Sequence, residues 1–264
     1  MTIRVAAVGD IHLGSTSEGV LRPAVESLRD CADVLLLAGD LTRHGTADEA
    51  RVVAGELADS PVPVIAVLGN HDYHGEQPEQ IAEILEKQGV RTLEGEAAVL
   101  DLGGFRLGVA GTKGFGGGFP GRALEAFGEP EIKAFARRSA ACADGLRAAL
   151  DELKSADCDF RIALTHYSPV PETLAGEPPE IFPFLGSYLL AQAIDEGGAD
   201  LAVHGHAHSG SEQGMTNGGV RVRNVAQPLI RRAFALFHVS EGSHSAEHSH
   251  STEHSRPAEH ARLA

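Results

Sequence analysis

An unbroken apolar run, Val34-Leu35-Leu36-Leu37-Ala38, is followed at once by Gly39-Asp40. Five consecutive apolar residues are typical of a strand covered on both faces, as in parallel sheets. The same ending, glycine and then a polar side chain, occurs after three further apolar segments, at Gly9-Asp10, Gly69-Asn70 and Gly205-His206. Since the carboxyl ends of parallel strands meet at one edge of a sheet, these polar side chains are expected to converge there.

Helical patterns alternate with these strands. Leu21 to Ala32 has helical periodicity, Thr46-Ala47-Asp48-Glu49 has the form of a capping box that opens a helix to about Ala58, and Pro78 to Lys87 predicts a third helix. Strand, helix and strand in succession indicate parallel βαβ units, so the fold class is α/β.

The second half of the chain continues the pattern. A hairpin is predicted through Gly103-Gly104, one long helix or two short ones over Pro130 to Leu153, and a helix over Gly186 to Asp195. The predicted strands are Ala97 to Leu102, Phe105 to Ala110, Arg161 to Thr165, Leu201 to Val203, Ser211 to Met215, Val220 to Asn224 and Ala233 to Val239. His166 directly follows one strand, and His206 and His208 follow another at a spacing that points both imidazoles to one side.

Two irregular segments are expected near these strand ends. Gly111 to Gly121 is rich in glycine but lacks the G-K-[ST] ending of a phosphate-binding loop, so a mobile lid or plain connector is favoured, with Lys113 as its one substrate contact. Tyr167 to Gly186 contains a Pro-rich irregular stretch. These two segments are expected to select the substrate.

Composition restricts the function. The chain has 264 residues, 22 Lys+Arg against 37 Asp+Glu, and a net charge of -15, which disfavours binding to nucleic acid. The three cysteines form no C-x-x-C pair, and no apolar run approaches the ~20 residues of a membrane span, so a cytoplasmic protein is expected. Residues 240–264 are nearly all Ser, His, Glu and Ala, which predicts a disordered His-rich tail after a domain spanning 1–239.

The polar residues at the strand ends share one chemistry. They are Asp10, His12, Asp40, Asn70, His71, His166, His206 and His208. Carboxylate, imidazole and amide ligands without a thiolate suit divalent Mn, Fe or Zn, and their number suits two ions. Two ions bridged by one carboxylate are a common device for hydrolysing phosphate esters. In the alternative interpretation, each of these residues only stabilises the turn in which it lies and binds no metal. His44, His74, His204 and His238 fit none of the motifs.

The succession of motifs resembles that of the calcineurin-like metallophosphoesterases. The motifs are Asp10-x-His12, Gly39-Asp40, Gly69-Asn70-His71-Asp72, His166 and Gly205-His206-x-His208, all present and in order between about residues 3 and 239. The resemblance implies a four-layer α/β/β/α sandwich of two facing mixed sheets, with the active site at the carboxyl ends of the strands.

The resemblance also implies roles for the residues. Asp10, His12 and His208 would bind one metal ion. Asn70, His166 and His206 would bind the second, and Asp40 would bridge the two. A bridging hydroxide would attack phosphorus, while the catalytic His71 would stabilise the transition state or protonate the leaving oxygen.

Departures from related enzymes narrow the substrate class. Leu41-Thr42-Arg43 follows Gly39-Asp40 where phosphoprotein phosphatases carry a second Asp-Arg pair, so a protein phosphatase is disfavoured. The motifs are closer to the bacterial cyclic-nucleotide phosphodiesterase branch, which implies small phosphodiesters or phosphomonoesters as substrates. Two alternatives stay open: a non-catalytic interaction scaffold that retains the fold, and a nuclease of the same superfamily.

Overall fold

The computed structural model describes residues 1–241 and 247–248. Its strands are β1 (Thr2–Val8), β2 (Val34–Ala38), β3 (Val64–Val67), β4 (Val90–Thr92), β5 (Glu96–Leu102), β6 (Phe105–Thr112), β7 (Gly118–Phe119), β8 (Arg122–Ala123), β9 (Phe160–Thr165), β10 (Leu201–His204), β11 (Gln213–Met215), β12 (Arg221–Asn224), β13 (Ala235–Ser240) and β14 (Glu247–His248). Its helices are α1 (Arg22–Cys31), α2 (Ala47–Leu57), α3 (Pro78–Glu86), α4 (Pro130–Ser155), α5 (Phe182–Leu185), α6 (Tyr188–Gly197) and α7 (Gln227–Ile230).

Two six-stranded mixed sheets form the body of the molecule. The first has the order β14-β13-β1-β2-β3-β4, in which β1 to β4 run parallel and β13 is antiparallel to β1. The second has the order β11-β12-β10-β9-β6-β5, with parallel β12, β10, β9 and β6 between antiparallel edge strands. The prediction of two mixed sheets is confirmed.

Alternation along the strands produces the layers. In β9, Ile162 and Leu164 join the apolar core that also contains Leu36 of β2, whereas Ala163 joins a second cluster with Leu150 of α4. Since successive side chains of a strand point to opposite faces, one face of the second sheet packs on the first sheet and the other is covered by α4 and α6. Helices α1, α2 and α3 pack on the first sheet, which completes the four layers.

The local predictions agree with the structure where hydrophobic periodicity is strong. Strand β2 has the predicted bounds, and Pro130–Ser155 forms one helix rather than two. The Thr46 hydroxyl accepts a hydrogen bond from the Glu49 backbone N–H at 3.3 Å, as in a capping box. The reciprocal half is absent, because the Glu49 carboxylate binds the N–H and the imidazole of His44 instead.

Some predictions need correction or lie beyond the structure. The sequence pattern does not predict strand β4, because Val90-Arg91-Thr92 forms no apolar run. The irregular stretch before Gly186 contains two 3-10 turns, Pro171–Leu174 and Pro179–Ile181, besides α5. Most of the predicted disordered tail, residues 242–246 and 249–264, lies outside the described residues. Along the part of the chain that the structure covers, no helix has both the length and the apolar character needed to cross a membrane.

A buried carboxylate joins the first two helices. Glu56 of α2 accepts hydrogen bonds from the backbone N–H groups of Gly19, Leu21 and Arg22 at 2.6, 2.6 and 2.7 Å. Leu21 precedes α1 and offers no side-chain cap, so Glu56 supplies the acceptor that this helix start lacks. Burial raises the pKa of Glu56, but the three donors outweigh it and hold the pKa below its usual value.

We expect Glu56→Gln to lower the free energy of unfolding by about 1–3 kcal/mol, because an amide offers one acceptor oxygen to three donors. In the wild type, the lowered pKa means that this stabilisation is complete above the pKa of an unfolded glutamate and is lost as pH falls through the folded value. Urea unfolding over a pH series measures both effects. The exposed Glu26→Gln on α1 is the control, and an equal loss in both variants would contradict the capping role.

Candidate metal centre

The ends of five strands from both sheets meet at one edge of the sandwich. The polar residues that follow β1, β2 and β3 are Asp10, Asp40 and Asn70, and those that follow β9 and β10 are His166 and His206. The Asp10 backbone N–H donates to the Gly39 carbonyl at 2.9 Å, which holds the first two strand ends together. The His206 N–H donates to the Asp10 carboxylate at 2.9 Å, which joins the second sheet to the first.

Several of these residues have a backbone conformation that side chains other than glycine seldom adopt. The φ angles are +59° at Asp10, +42° at His12, +52° at Asp40 and +71° at His206. Such left-handed residues cost of order 1–3 kcal/mol each and cluster at functional sites. The strain accompanies a sharp turn after the strand that brings the side chain over the sheet edge.

The glycines before these residues are required for space. A Cβ on Gly69 would lie 2.1 Å from Oδ1 of Asp40, and a Cβ on Gly205 would lie 2.4 Å from Oδ2 of Asp10. A Cβ on Gly39 would lie 2.6 Å from Nδ1 of His166. Each glycine therefore makes room for a polar side chain that belongs to another strand end.

Among the described residues, three overlapping groups of side chains can hold a metal ion, each with its ligand atoms within 4.8 Å of one another. The groups are Asp10, His12 and His208; His12, Asp40 and His71; and Asp40, His166 and His206. Asn70 adjoins the third group, since its Oδ1 lies 2.9 Å from Nε2 of His166. The structure thus brings together all eight residues that the sequence singled out.

Backbone carbonyls fix the orientation of three imidazoles. The Ala38 carbonyl accepts from Nδ1 of His166 at 2.9 Å, which leaves Nε2 3.3 Å from Oδ1 of Asp40. The Arg43 carbonyl accepts from Nδ1 of His71 at 2.7 Å, and the Phe184 carbonyl accepts from Nε2 of His206 at 3.3 Å. A histidine that donates one N–H to a carbonyl presents its other nitrogen as a lone pair, as metal ligands do.

The pKa shifts of Asp10, His12 and His206 favour the charge states that bind a cation. Burial raises the pKa of Asp10, but the hydrogen bond from His208 at 2.9 Å and nearby imidazoles outweigh it, so the pKa falls below its usual value. Burial lowers the pKa of His206 to about 3 and also lowers the pKa of His12, whereas the hydrogen bond to Asp10 raises the pKa of His208. Ionised carboxylate and neutral imidazole are the forms that bind metal. These oxygen and nitrogen donors therefore fit a divalent metal ion.

Asp72 is the buried last residue of the motif Gly69-Asn70-His71-Asp72, and the sequence motifs assign it no role. Its carboxylate accepts from the N–H groups of Leu41, Thr42 and Gly69 at 3.2, 2.8 and 2.8 Å, and from the Thr42 hydroxyl at 2.6 Å. It thereby joins the turn after Asp40 to the turn that carries Asn70 and His71. Burial raises the pKa of this carboxyl group.

The glycine-rich segment is packed into the protein. Its Gly117 and Gly118 N–H groups donate to the carbonyls of Pro183 and Gly186 at 2.7 and 2.9 Å, so they do not form a phosphate cradle. Lys113 is only 4% exposed, and its Nζ lies 4.8–5.0 Å from the ring centroids of Tyr73, Phe115 and Tyr167. The prediction that Lys113 contacts substrate is therefore corrected, because three rings cover it.

Four described histidines, His44, His74, His204 and His238, belong to none of the three groups. His204 is fully buried at the end of β10, where its Nε2 lies 2.9 Å from the Thr173 hydroxyl. Burial lowers the pKa of His204 to about 4. His44 pairs with Glu49, and His74 is exposed. The four-layer α/β fold and the oxygen- and nitrogen-donor groups at its strand ends together indicate a metal-binding protein.

Comparison with known proteins identifies the family. A family model described as calcineurin-like phosphoesterase matches residues 3–210, and the chain belongs to that family. The resemblance that the sequence motifs show to this family is thereby confirmed.

Two curated relatives share part of the sequence. A protein of Synechococcus sp. named "probable cyclic nucleotide phosphodiesterase" is 33% identical over 94 residues, which cover 32% of this chain and 35% of the relative. A protein of Fibrobacter succinogenes with a similar name is 32% identical over 80 residues, covering 26% and 31%. The matched part therefore spans about a third of each relative's length.

Solved structures show the same fold. Phosphopantetheinyl hydrolase from Mycobacterium tuberculosis superposes with a TM-score of 0.61 at 20% identity, over 86% of this chain and 92% of that one. A 5′-nucleotidase precursor from Thermus thermophilus gives 0.54 at 17% identity, over 91% and 51%. At these identities the likeness concerns the fold alone.

We expect Asp72→Asn to lower the free energy of unfolding by about 1.5–3 kcal/mol, because the amide keeps one acceptor oxygen and sets an NH₂ group against backbone donors. Chemical unfolding of the wild type and the variant measures the difference. Asp59→Asn is the matched control, since Asp59 is exposed and Asn tolerates its positive φ. A variant as stable as the wild type would show that Asp72 does not hold the two turns together.

Proposed function

We propose that the protein hydrolyses small phosphodiesters or phosphomonoesters with two divalent cations held at the edge of the two sheets. The observation that carries the proposal is the position of Asp40. Its Oδ1 lies 3.3 Å from Nε2 of His166 on one side, and its Oδ2 lies 3.8 Å from Nε2 of His12 on the other. A carboxylate that belongs to groups on both sides is suited to bridge two ions.

The remaining ligands divide between the two positions. Asp10, His12 and His208 would hold one ion, and Asn70, His166 and His206 would hold the other, because each set lies on its own side of Asp40. Each set takes donors from both sheets, which explains why the centre forms where the two sheet edges meet. When bound, the ions would activate a shared water for attack at phosphorus and neutralise charge on the phosphate.

His71 is proposed to act on the substrate rather than on the metal. Its side chain is 45% exposed, more than that of Asp40 or His166, and its Nε2 lies 4.0 Å from Oδ2 of Asp40. The hydrogen bond from Nδ1 to the Arg43 carbonyl aligns the ring and leaves Nε2 toward the centre. From there His71 can stabilise charge on the phosphoryl group or supply a proton to the leaving oxygen.

The charge of the chain favours a small substrate. The net charge of -15 opposes contact with a long phosphate backbone, whereas a small anion meets only the local field of the metal centre. The two curated relatives carry names of cyclic nucleotide phosphodiesterases, which favours phosphodiesters as the first substrates to test.

The three cysteines favour a cytoplasmic location, because all of them are free, as in a reducing compartment.

We expect the wild type with Mn²⁺ to hydrolyse bis(4-nitrophenyl) phosphate, 4-nitrophenyl phosphate or both. Asn70→Ala should slow this reaction by about 100-fold or more. Loss of a residue that only hydrogen-bonds to a metal ligand already lowers metal affinity or activity by about 10–100-fold, and Asn70 is proposed to be a ligand itself. Release of nitrophenolate measures the rates. His74→Ala, an exposed residue of the same turn, should leave them unchanged. Equal rates for Asn70→Ala and the wild type would contradict a role for Asn70 in the centre.

The Mn²⁺ content of variants distinguishes the proposed metal ligands from His71, which is proposed to act on the substrate. We expect about two Mn²⁺ per chain in the wild type and in His71→Ala, and fewer than one in Asp40→Ala, because only Asp40 is shared between the two proposed sites. Equilibrium dialysis with elemental analysis measures the content, and chelator-treated protein supplies the metal-free reference. Loss of an ion from His71→Ala would instead assign His71, which also lies near His12 and Asp40, as a ligand.

A further inference from the structure

An aromatic rim borders the metal centre on the side of His206. It consists of Tyr167, Phe115, Phe135 and Phe184. The Tyr167 ring lies 4.4 Å from that of His206, and successive centroids along the rim are 5.9, 4.8 and 6.4 Å apart. The rim thus extends from a proposed metal ligand outward to Phe184.

Phe184 is the exposed end of this rim. Its side chain is 60% exposed, although its backbone is held on several sides. Its carbonyl accepts from His206, the preceding Pro183 carbonyl accepts from Gly117 N–H, and the following Leu185 carbonyl accepts from Ser168 N–H at 3.0 Å. A rigid backbone that presents a ring to solvent gives a stacking surface whose use costs little conformational entropy.

The neighbouring phenylalanine points elsewhere. Phe182 packs against Phe119, with ring centroids 6.4 Å apart, and lines a separate cavity of about 620 Å³ with Phe119 and Tyr188. That cavity contains none of the residues of the three metal-binding groups. Phe184 therefore lies against Phe135, on the side of the segment that adjoins His206.

We propose that Phe184 is a specificity-determining residue that stacks on a planar aromatic group of the substrate, such as a nucleobase, while the phosphate lies at the metal centre. This inference rests on the proposed function. Phe115, Phe135 and Phe184 carry no polar atom on their side chains, so the rim would favour a planar ring over an aliphatic group without distinguishing one base from another.

Binding of two matched ligands to the Mn²⁺-loaded protein tests the proposal. Adenosine 5′-monophosphate and ribose 5-phosphate carry the same phosphate and sugar, and only the first has a base. Isothermal titration in a His71→Ala background, which retains the metal and slows hydrolysis of both ligands, should give the nucleotide about 5- to 100-fold tighter binding when Phe184 is present, the range expected for one base stacked on one aromatic ring. Phe184→Ala should remove this advantage and leave the affinity for ribose 5-phosphate unchanged.

Two further variants serve as controls. Phe184→Trp should retain the preference for the nucleotide, because it keeps an aromatic face. Phe127→Ala removes another exposed phenylalanine, 83% exposed in the segment before α4, and should leave the preference unchanged. The Phe184 carbonyl belongs to the backbone, so these substitutions leave the hydrogen bond to His206 available.

The outcomes separate this inference from the proposed function. Equal affinities for the two ligands when Phe184 is present, equal weakening of both by Phe184→Ala, or no binding of the nucleotide would each overturn the role of Phe184. The proposed function is tested independently by hydrolysis of bis(4-nitrophenyl) phosphate and 4-nitrophenyl phosphate. Hydrolysis without a preference for the nucleotide refutes the inference alone, and absence of metal-dependent hydrolysis refutes the function.

Discussion

The buried carboxylate of Asp40 is the constraint on which the structure depends. Its Oδ1 accepts from the His71 backbone N–H at 2.8 Å, and its own backbone carbonyl accepts from the His12 N–H at 3.0 Å. The ends of β1, β2 and β3 are thereby fixed to one another, and His166, which directly follows β9, lies beside them. Burial of a carboxylate is costly unless the group is paired or hydrogen-bonded. The Asp40 carboxylate accepts a backbone hydrogen bond and lies between the two groups proposed to bind cations.

Binding of metal would also join the two sheets. Asp10, His12 and Asn70 come from the first sheet, and His166, His206 and His208 come from the second. The sheets also meet through apolar side chains and through two backbone hydrogen bonds, in which the Gly9 N–H donates to the Val225 carbonyl at 3.0 Å and the Gln227 N–H donates to the Gly9 carbonyl at 2.9 Å. On this account, the proposed ions have a structural role that accompanies their chemical one, because free energy of binding to the folded state adds to its stability.

The sequence predicts the frame of this protein better than its finer structure. Strands such as β2 and helix α4 show clear periodicity, and the convergence of strand ends follows from parallel pairing alone. The role of Asp72 depends on four donors, up to 31 positions away, that no local pattern reveals. Lys113 resembles an exposed loop cation until the rings of Tyr73 and Tyr167, from two other segments, are seen to cover it.

The hydrogen bond that orients His206 comes from the main chain of Phe184, not from its side chain. Position 184 can therefore accept many amino acids while the imidazole keeps its alignment, so the orientation of this histidine does not depend on the side chain proposed to select the substrate. Substitutions at this one codon would then change the proposed substrate preference without disturbing the proposed metal ligands. A family built in this way could acquire new substrates through single substitutions.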